Sequence, residues 1–165
     1  MYTSHQIANY FIEKSLESWA DMIPLKLIRL TYIAHGWCLG LYDKALLAEP
    51  IYAYKYGPVI YSLFNDFMKY GNDQIDELYG VKDIEEIPMP DEEIEPLLQE
   101  IWKVYGKCSV DHLSAIAHQP NSPWDKVWNQ KGRRKSKWIV IQNDLIKEHY
   151  KQKIAIARVK LSEIQ

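Results

Sequence analysis

His35 and Cys38 stand three residues apart, a spacing that puts both side chains on one face of a helix. An imidazole and a thiol so placed have the makings of a metal pair, or of a nucleophile with its base. Around them lie Ile33, Ala34, Trp37 and Leu41, and no second ligand pair of matching spacing occurs. A cysteine in such company packs as a small hydrophobe, so the pair reads as core filling. His112 and His118 stand near Asp111 and Asp125 and near Ser109, Ser114 and Ser122, the ingredients of a general-base site. Nothing local activates a nucleophile, because the serines suit helix caps or solvent, and His118 near a helix end suits a backbone hydrogen bond. The seven glycines are scattered and form no phosphate cradle. No catalytic residue, metal or cofactor is expected.

Two other groups have the chemistry of recognition. The basic run Lys131, Arg133, Arg134, Lys135 and Lys137 offers cations for a phosphate backbone, with Arg133, Arg134 and Lys135 at its centre. The acidic stretch over residues 83–100 works against net nucleic-acid affinity and equally suits steering of a basic partner. The second group is "AYKYGPVIYSLFNDF", residues 53–67, with Tyr52 just before it; Tyr52, Tyr54, Tyr56 and Tyr61 surround Gly57 and Pro58. Tyrosine supplies large contact area and a polar tip at low entropic cost. The four rings serve either as an exposed binding platform or as core packing with hydroxyls reaching water. Gly57 and Pro58 are structural on both readings.

These groups need a frame. A chain of 165 residues is one domain by length, and large enough to fold without disulfide or metal staples. A net charge of −2 excludes a polycation, and two cysteines give no disulfide framework and suit a reducing cytoplasm. The N-terminus lacks a basic segment leading into an apolar run, so no signal peptide is expected. The longest charge-free stretch, residues 30–42, is thirteen residues, short of the ~20 a membrane span needs. Six Trp, twelve Tyr and three Phe supply more ring surface than a core alone requires.

Helix signals dominate the chain. Thr3 and Gln6 form a capping box ahead of a helix over residues 4–18. Pro24 suits the first turn of a second helix, apolar around most of its circumference and therefore central. Residues 45–56 alternate as a short extended segment, and Pro58 is predicted to open a third helix ending at Gly71. Asp91 is predicted to cap a fourth, with Pro96 a mild objection. Ser109 and Ser122 cap two more, residues 138–141 read as extended, and Asn143 starts the last helix. The expected fold is mostly α: a compact single domain of six to seven helices with at most a short β-hairpin or extended segments.

"IPLKLIRLTYIAHGWCLG" followed by "AEPIYAYKYGPVIYSLFNDFMKYG" resembles the Panacea domain, the SocA-like antitoxin family. Lys26, Leu27, Tyr32 and Trp37 stand on the first family motif, and Gly57, Pro58 and Val59 on the second. "LSAIAHQPNSPWDKVW" is similar to a third, carried by His118, Pro123 and Trp124. Arg29 and Ala117 depart from the usual pattern. The resemblance covers nearly all of residues 1–165 and implies a single antitoxin domain without the N-terminal DNA-binding module many members carry. It implies a cytoplasmic protein, associated with a prophage or mobile element, that neutralises a cognate toxin by direct binding and has no enzymatic role. Two alternatives stand beside it, a nucleic-acid-binding regulator using loop 131–137 and an adaptor delivering a partner to a protease. Self-association is compatible with each.

Overall fold

The computed structural model describes residues 1–82, 86–130 and 138–164. Its helices are α1 (Ser4–Ser18), α2 (Pro24–Tyr42), α3 (Tyr61–Phe67), α4 (Glu95–Tyr105), α5 (Val110–Ala117), α6 (Pro123–Trp128) and α7 (Asn143–Ile164), with one 3-10 turn, Met68–Tyr70. Its strands are β1 (Ile51–Tyr54), β2 (Gly57–Val59) and β3 (Ile139–Ile141), an antiparallel sheet of order β2-β1-β3. The fold is mostly α, as expected. The extended segment at the far end of the chain becomes the third strand of the hairpin sheet, with Ile51 opposite Ile141 and Tyr52 opposite Val140.

The caps hold where the sequence places them. The Thr3 hydroxyl accepts from the Gln6 amide at 3.2 Å, and the Gln6 side chain accepts from the Thr3 amide at 3.0 Å. Glu49 adds a second anchor, accepting from the Ser4 amide at 2.7 Å, where the positive end of a helix favours a carboxylate. Ser109 and Ser122 accept from the amides of His112 and Asp125.

Two helix starts differ from expectation. Pro58 does not open α3; it lies in β2 opposite Ala53, and the helix begins at Tyr61. An edge strand loses nothing by hosting a residue without an N–H, so β2 accommodates the proline. Asp91 does not cap α4, which begins at Glu95. Its carboxylate accepts instead from the Tyr2 hydroxyl at 2.5 Å and the Glu93 amide at 3.2 Å. Pro96 therefore falls in the first turn of α4, where its missing N–H has no intrahelical partner to lose.

α2 is the hub. It packs against α1, α3, α4, α5 and α7 as well as β2, and nearly all of it is buried. Its contact with α7 depends on two glycines one turn apart. A Cβ on Gly36 would overlap the Tyr150 ring, and one on Gly40 would sit 2.7 Å from the Tyr150 Cβ. Tyr150 is fully buried there, its ring edge-on to Trp37 at 5.2 Å. Trp37 is itself half-buried and donates its indole N–H to the Tyr105 hydroxyl at 3.1 Å. His35, one position before Gly36, pins the same helix pair. Its Nδ1 accepts from the Leu47 amide at 3.2 Å, which leaves Nε2–H to donate to Asn143 Oδ1 at 2.9 Å. The neutral imidazole of His35 is thus fully used in joining α2 to the first turn of α7, and Cys38 is a buried free thiol of the core.

Gly36→Ala should lower stability by about 1–3 kcal/mol, since the added methyl has nowhere to go without prising α7 from α2. A urea midpoint unchanged from that of the parent protein would contradict this packing. Burial also holds the imidazoles of His35, His118 and His149 below their ordinary value, His149 at about 4. Each binds a proton more readily unfolded than folded, so stability is full above pH ~6.5 and falls as pH drops through the window below it. The melting temperature should be level above pH ~6.5 and decline steadily towards pH ~5. A profile flat across that window in scanning calorimetry would refute the assignment.

Candidate functional site

Strand alternation creates a face rich in aromatic rings. Ile51 and Ala53 of β1 point into the core, so Tyr52 and Tyr54 point out. Trp138, placed just before β3 with a left-handed backbone (φ 62°), lays its ring flat on Tyr54, centroids 5.0 Å apart. Tyr61 and Phe64 of α3 meet Trp138 edge-on at 5.1 and 5.5 Å, and Tyr52 does so at 6.1 Å. Tyr56 completes the group edge-on to Tyr54 at 5.4 Å, with the Lys55 ammonium 4.9 Å from its centroid. The rings divide between the two roles the sequence left open. Tyr52 and Tyr54 are half-buried and support the cluster, while Tyr56 and Tyr61 are 51% and 52% exposed.

Beneath this face the Gly57-Pro58 turn is gripped from below. Three of its carbonyls accept hydrogen bonds from side chains on three separate parts of the chain. The Trp124 indole of α6 donates to Tyr54 O at 2.6 Å. The His118 Nε2–H, at the C-cap of α5, donates to Tyr56 O at 2.9 Å. Arg29, fully buried in the middle of α2, donates through Nη2 to Tyr56 O and through Nη1 to Pro58 O at 2.5 Å. The Arg29 charge has two carbonyl dipoles for company rather than a carboxylate, and burial pulls its pKa down to about 10. Burial also lowers the His118 pKa, opposed by its hydrogen bond to Tyr56 O and helped by the nearby Arg29 charge. The His118 ring leans on Trp124 at 4.6 Å.

Gly57 is the residue this grip requires. Its φ of 113° disfavours any side chain, and a Cβ there would overlap both His118 Nε2 and Arg29 Nη2. Arg29 and His118 can reach the carbonyl acceptors of the turn only because no side chain projects from Gly57.

The other candidate residues fall as follows. Leu27, Tyr32, Val59, Pro123 and Trp124 are buried, and Lys26 is buried at the start of α2. His112 is exposed on α5 and does not join His118. Asp125 serves the Asn121 amide and the Asn129 side chain rather than His118. Arg133, Arg134 and Lys135 lie outside the described residues. The two contributors that sequence reasoning passed over are Arg29 and Trp138. A lone guanidinium inside a helix apolar on most sides was the available signal for Arg29. Trp138 had none, because its partners come from distant segments.

The family model for the SocA-like antitoxin, Panacea domain, matches residues 27–125. The chain belongs to this family. The matched segment runs from α2 into α6 and contains Arg29, Gly57, His118 and Trp124, so the whole grip on the turn lies within the Panacea domain. Antitoxin SocA of Caulobacter vibrioides (strain NA1000 / CB15N) is 26% identical over 159 residues, covering 92% of this chain and 84% of that protein. No solved structure matches the chain.

Gly57→Ala should destabilise the domain by about 1–3 kcal/mol through backbone strain and collision with Arg29 and His118. Trp124→Phe keeps a ring but withdraws the donor from Tyr54 O, at a cost of about 1–3 kcal/mol. Guanidinium denaturation of both variants checks this, and two parent-like midpoints would show that the turn is not held as described.

Proposed function

We propose that this Panacea domain neutralises a cognate toxin by binding it directly, and that Tyr56 and Tyr61, backed by Tyr52, Tyr54, Phe64 and Trp138, form the centre of the contact. The observation behind the proposal is a preassembled cluster of rings, two of them half exposed, standing on a turn fixed by Arg29, His118 and Trp124. Rigid aromatic groups lose little rotamer entropy on docking, and such side chains dominate the energy of protein interfaces. Val140, 39% exposed and opposite Tyr52, extends the apolar surface along β3. A stable complex needs about 1,200–2,000 Å² of total buried area, so the cluster is the core of a larger footprint. The protein contributes surface and no covalent step; His35 and His118, the histidines of the family motifs, are engaged in holding the fold.

The test pairs Tyr56→Ala with Tyr61→Ala, because these two rings are the most exposed of the group and their loss spares the fold. Co-expressed with its cognate toxin, the double variant should fail to restore growth. Its affinity for the purified toxin should fall by about tenfold or more. Full rescue by a variant with an unchanged melting curve would reject this placement.

A further inference from the structure

α2 begins in an unusual electrostatic state. Its N-cap, Ile23, has no side chain able to accept from the first-turn amides, and that turn contains no acidic residue. The first intrahelical bond runs from the Leu27 amide to Ile23 O, so the Leu25 and Lys26 amides have no partner among the described residues. The same end of the helix carries Lys26, a lysine only 4% exposed. Its ammonium makes no hydrogen bond or ion pair with any described residue. Burial lowers its pKa, with the Asp21 charge pulling back the other way. An unpaired lysine so little exposed, at a helix start whose amides are also unpaired, is a costly arrangement that an anion would relieve.

A cleft of about 790 Å³ opens there, lined by Trp19, Asp21, Ile23, Lys26, Lys107 and Val110. We propose that this cleft binds a carboxylate carried on an apolar stem, the carboxylate seated between Lys26 and the first-turn amides of α2. Charge selects the ligand class. The charged residues of the lining are Lys26, Lys107 and Asp21, so the cleft carries a net charge of one positive unit, the complement of a monoanion rather than of a phosphate dianion. Trp19 selects the stem. It is 95% exposed and held in a left-handed backbone (φ 56°) at the end of α1, so its indole projects at the rim, with Ile23 and Val110 also on the wall. This site lies on α1, α2 and α5, elements other than the strands that carry the tyrosine face, and stands or falls independently of it.

The experiment titrates the full chain with N-acetyl-leucine, its neutral counterpart N-acetyl-leucinamide, inorganic phosphate and a tetrapeptide ending in a free leucine carboxylate. Amide chemical shifts at residues 25–27 and Trp19 fluorescence report binding. N-acetyl-leucine should shift these signals saturably, the amide should not, and phosphate should bind more weakly. Lys26→Met should weaken the acid by about tenfold or more. Asp21→Asn, an exposed change that leaves the fold intact, should strengthen it about two- to fivefold. A tetrapeptide that binds more tightly than the single residue identifies a chain terminus as the natural source, and equal affinity identifies a small free acid; both support the site. The proposal is overturned by equal shifts from acid and amide, by tighter binding of phosphate, or by no saturable response to any probe. Indifference of acid binding to both substitutions overturns it as well.

Discussion

Three carbonyl oxygens on one turn set the geometry of this protein. A tight turn between β1 and β2 turns the carbonyls of Tyr54, Tyr56 and Pro58 towards the side chains beneath it, and each needs a donor there. Trp124, His118 and Arg29 supply the missing donors from α6, the end of α5 and the middle of α2. One short loop therefore ties together elements nearly a hundred residues apart in sequence. The dependence runs both ways, because each donor side chain is oriented by the carbonyl it meets.

Arg29 is the costly member of this set. Burying a guanidinium without a carboxylate forfeits hydration that two carbonyl dipoles only partly replace. What the arrangement gains is directional: a planar fork fits two acceptors on one turn at once, which a lysine or an apolar side chain cannot do. Gly57 is the counterpart of that fork, being the one residue type that leaves room for the guanidinium and adopts the backbone the turn needs. The rings above inherit the rigidity. Tyr54 is fixed at its carbonyl by Trp124 and at its ring by Trp138, so the outer cluster stands on a pinned backbone.

α2 distributes the remaining tasks along its length. Lys26 faces the cleft at its start, Arg29 the turn, His35 the first turn of α7, and Gly36 with Gly40 the Tyr150 ring. Helical rotation sends successive positions to different neighbours, so a helix apolar nearly all round can still carry polar residues, each facing a different part of the fold.

Much of this fold was legible in the residues alone. The capping box at Thr3, the serine caps at Ser109 and Ser122 and the proline at the head of α2 are local devices, and each acts within four residues of itself. The motif stretches around Gly36-Trp37, Gly57-Pro58 and Pro123-Trp124 were likewise enough to suggest the family. The errors have a common cause. Pro58 carries the local signature of a helix start, yet pairing with Ala53 and the hold of Arg29 on its carbonyl keep the chain extended. Asp91 resembles a cap but is claimed by Tyr2. Tyr54, Tyr61, Phe64 and Trp138 became one cluster only when β3 joined the hairpin, and Arg29 acquired its role only when α2 passed beneath the turn. Periodicity and capping are set by neighbours along the chain and can be read there. Which acceptor a buried donor meets, and which rings share a face, depend on contacts between distant segments, and those exist only once the chain has closed on itself.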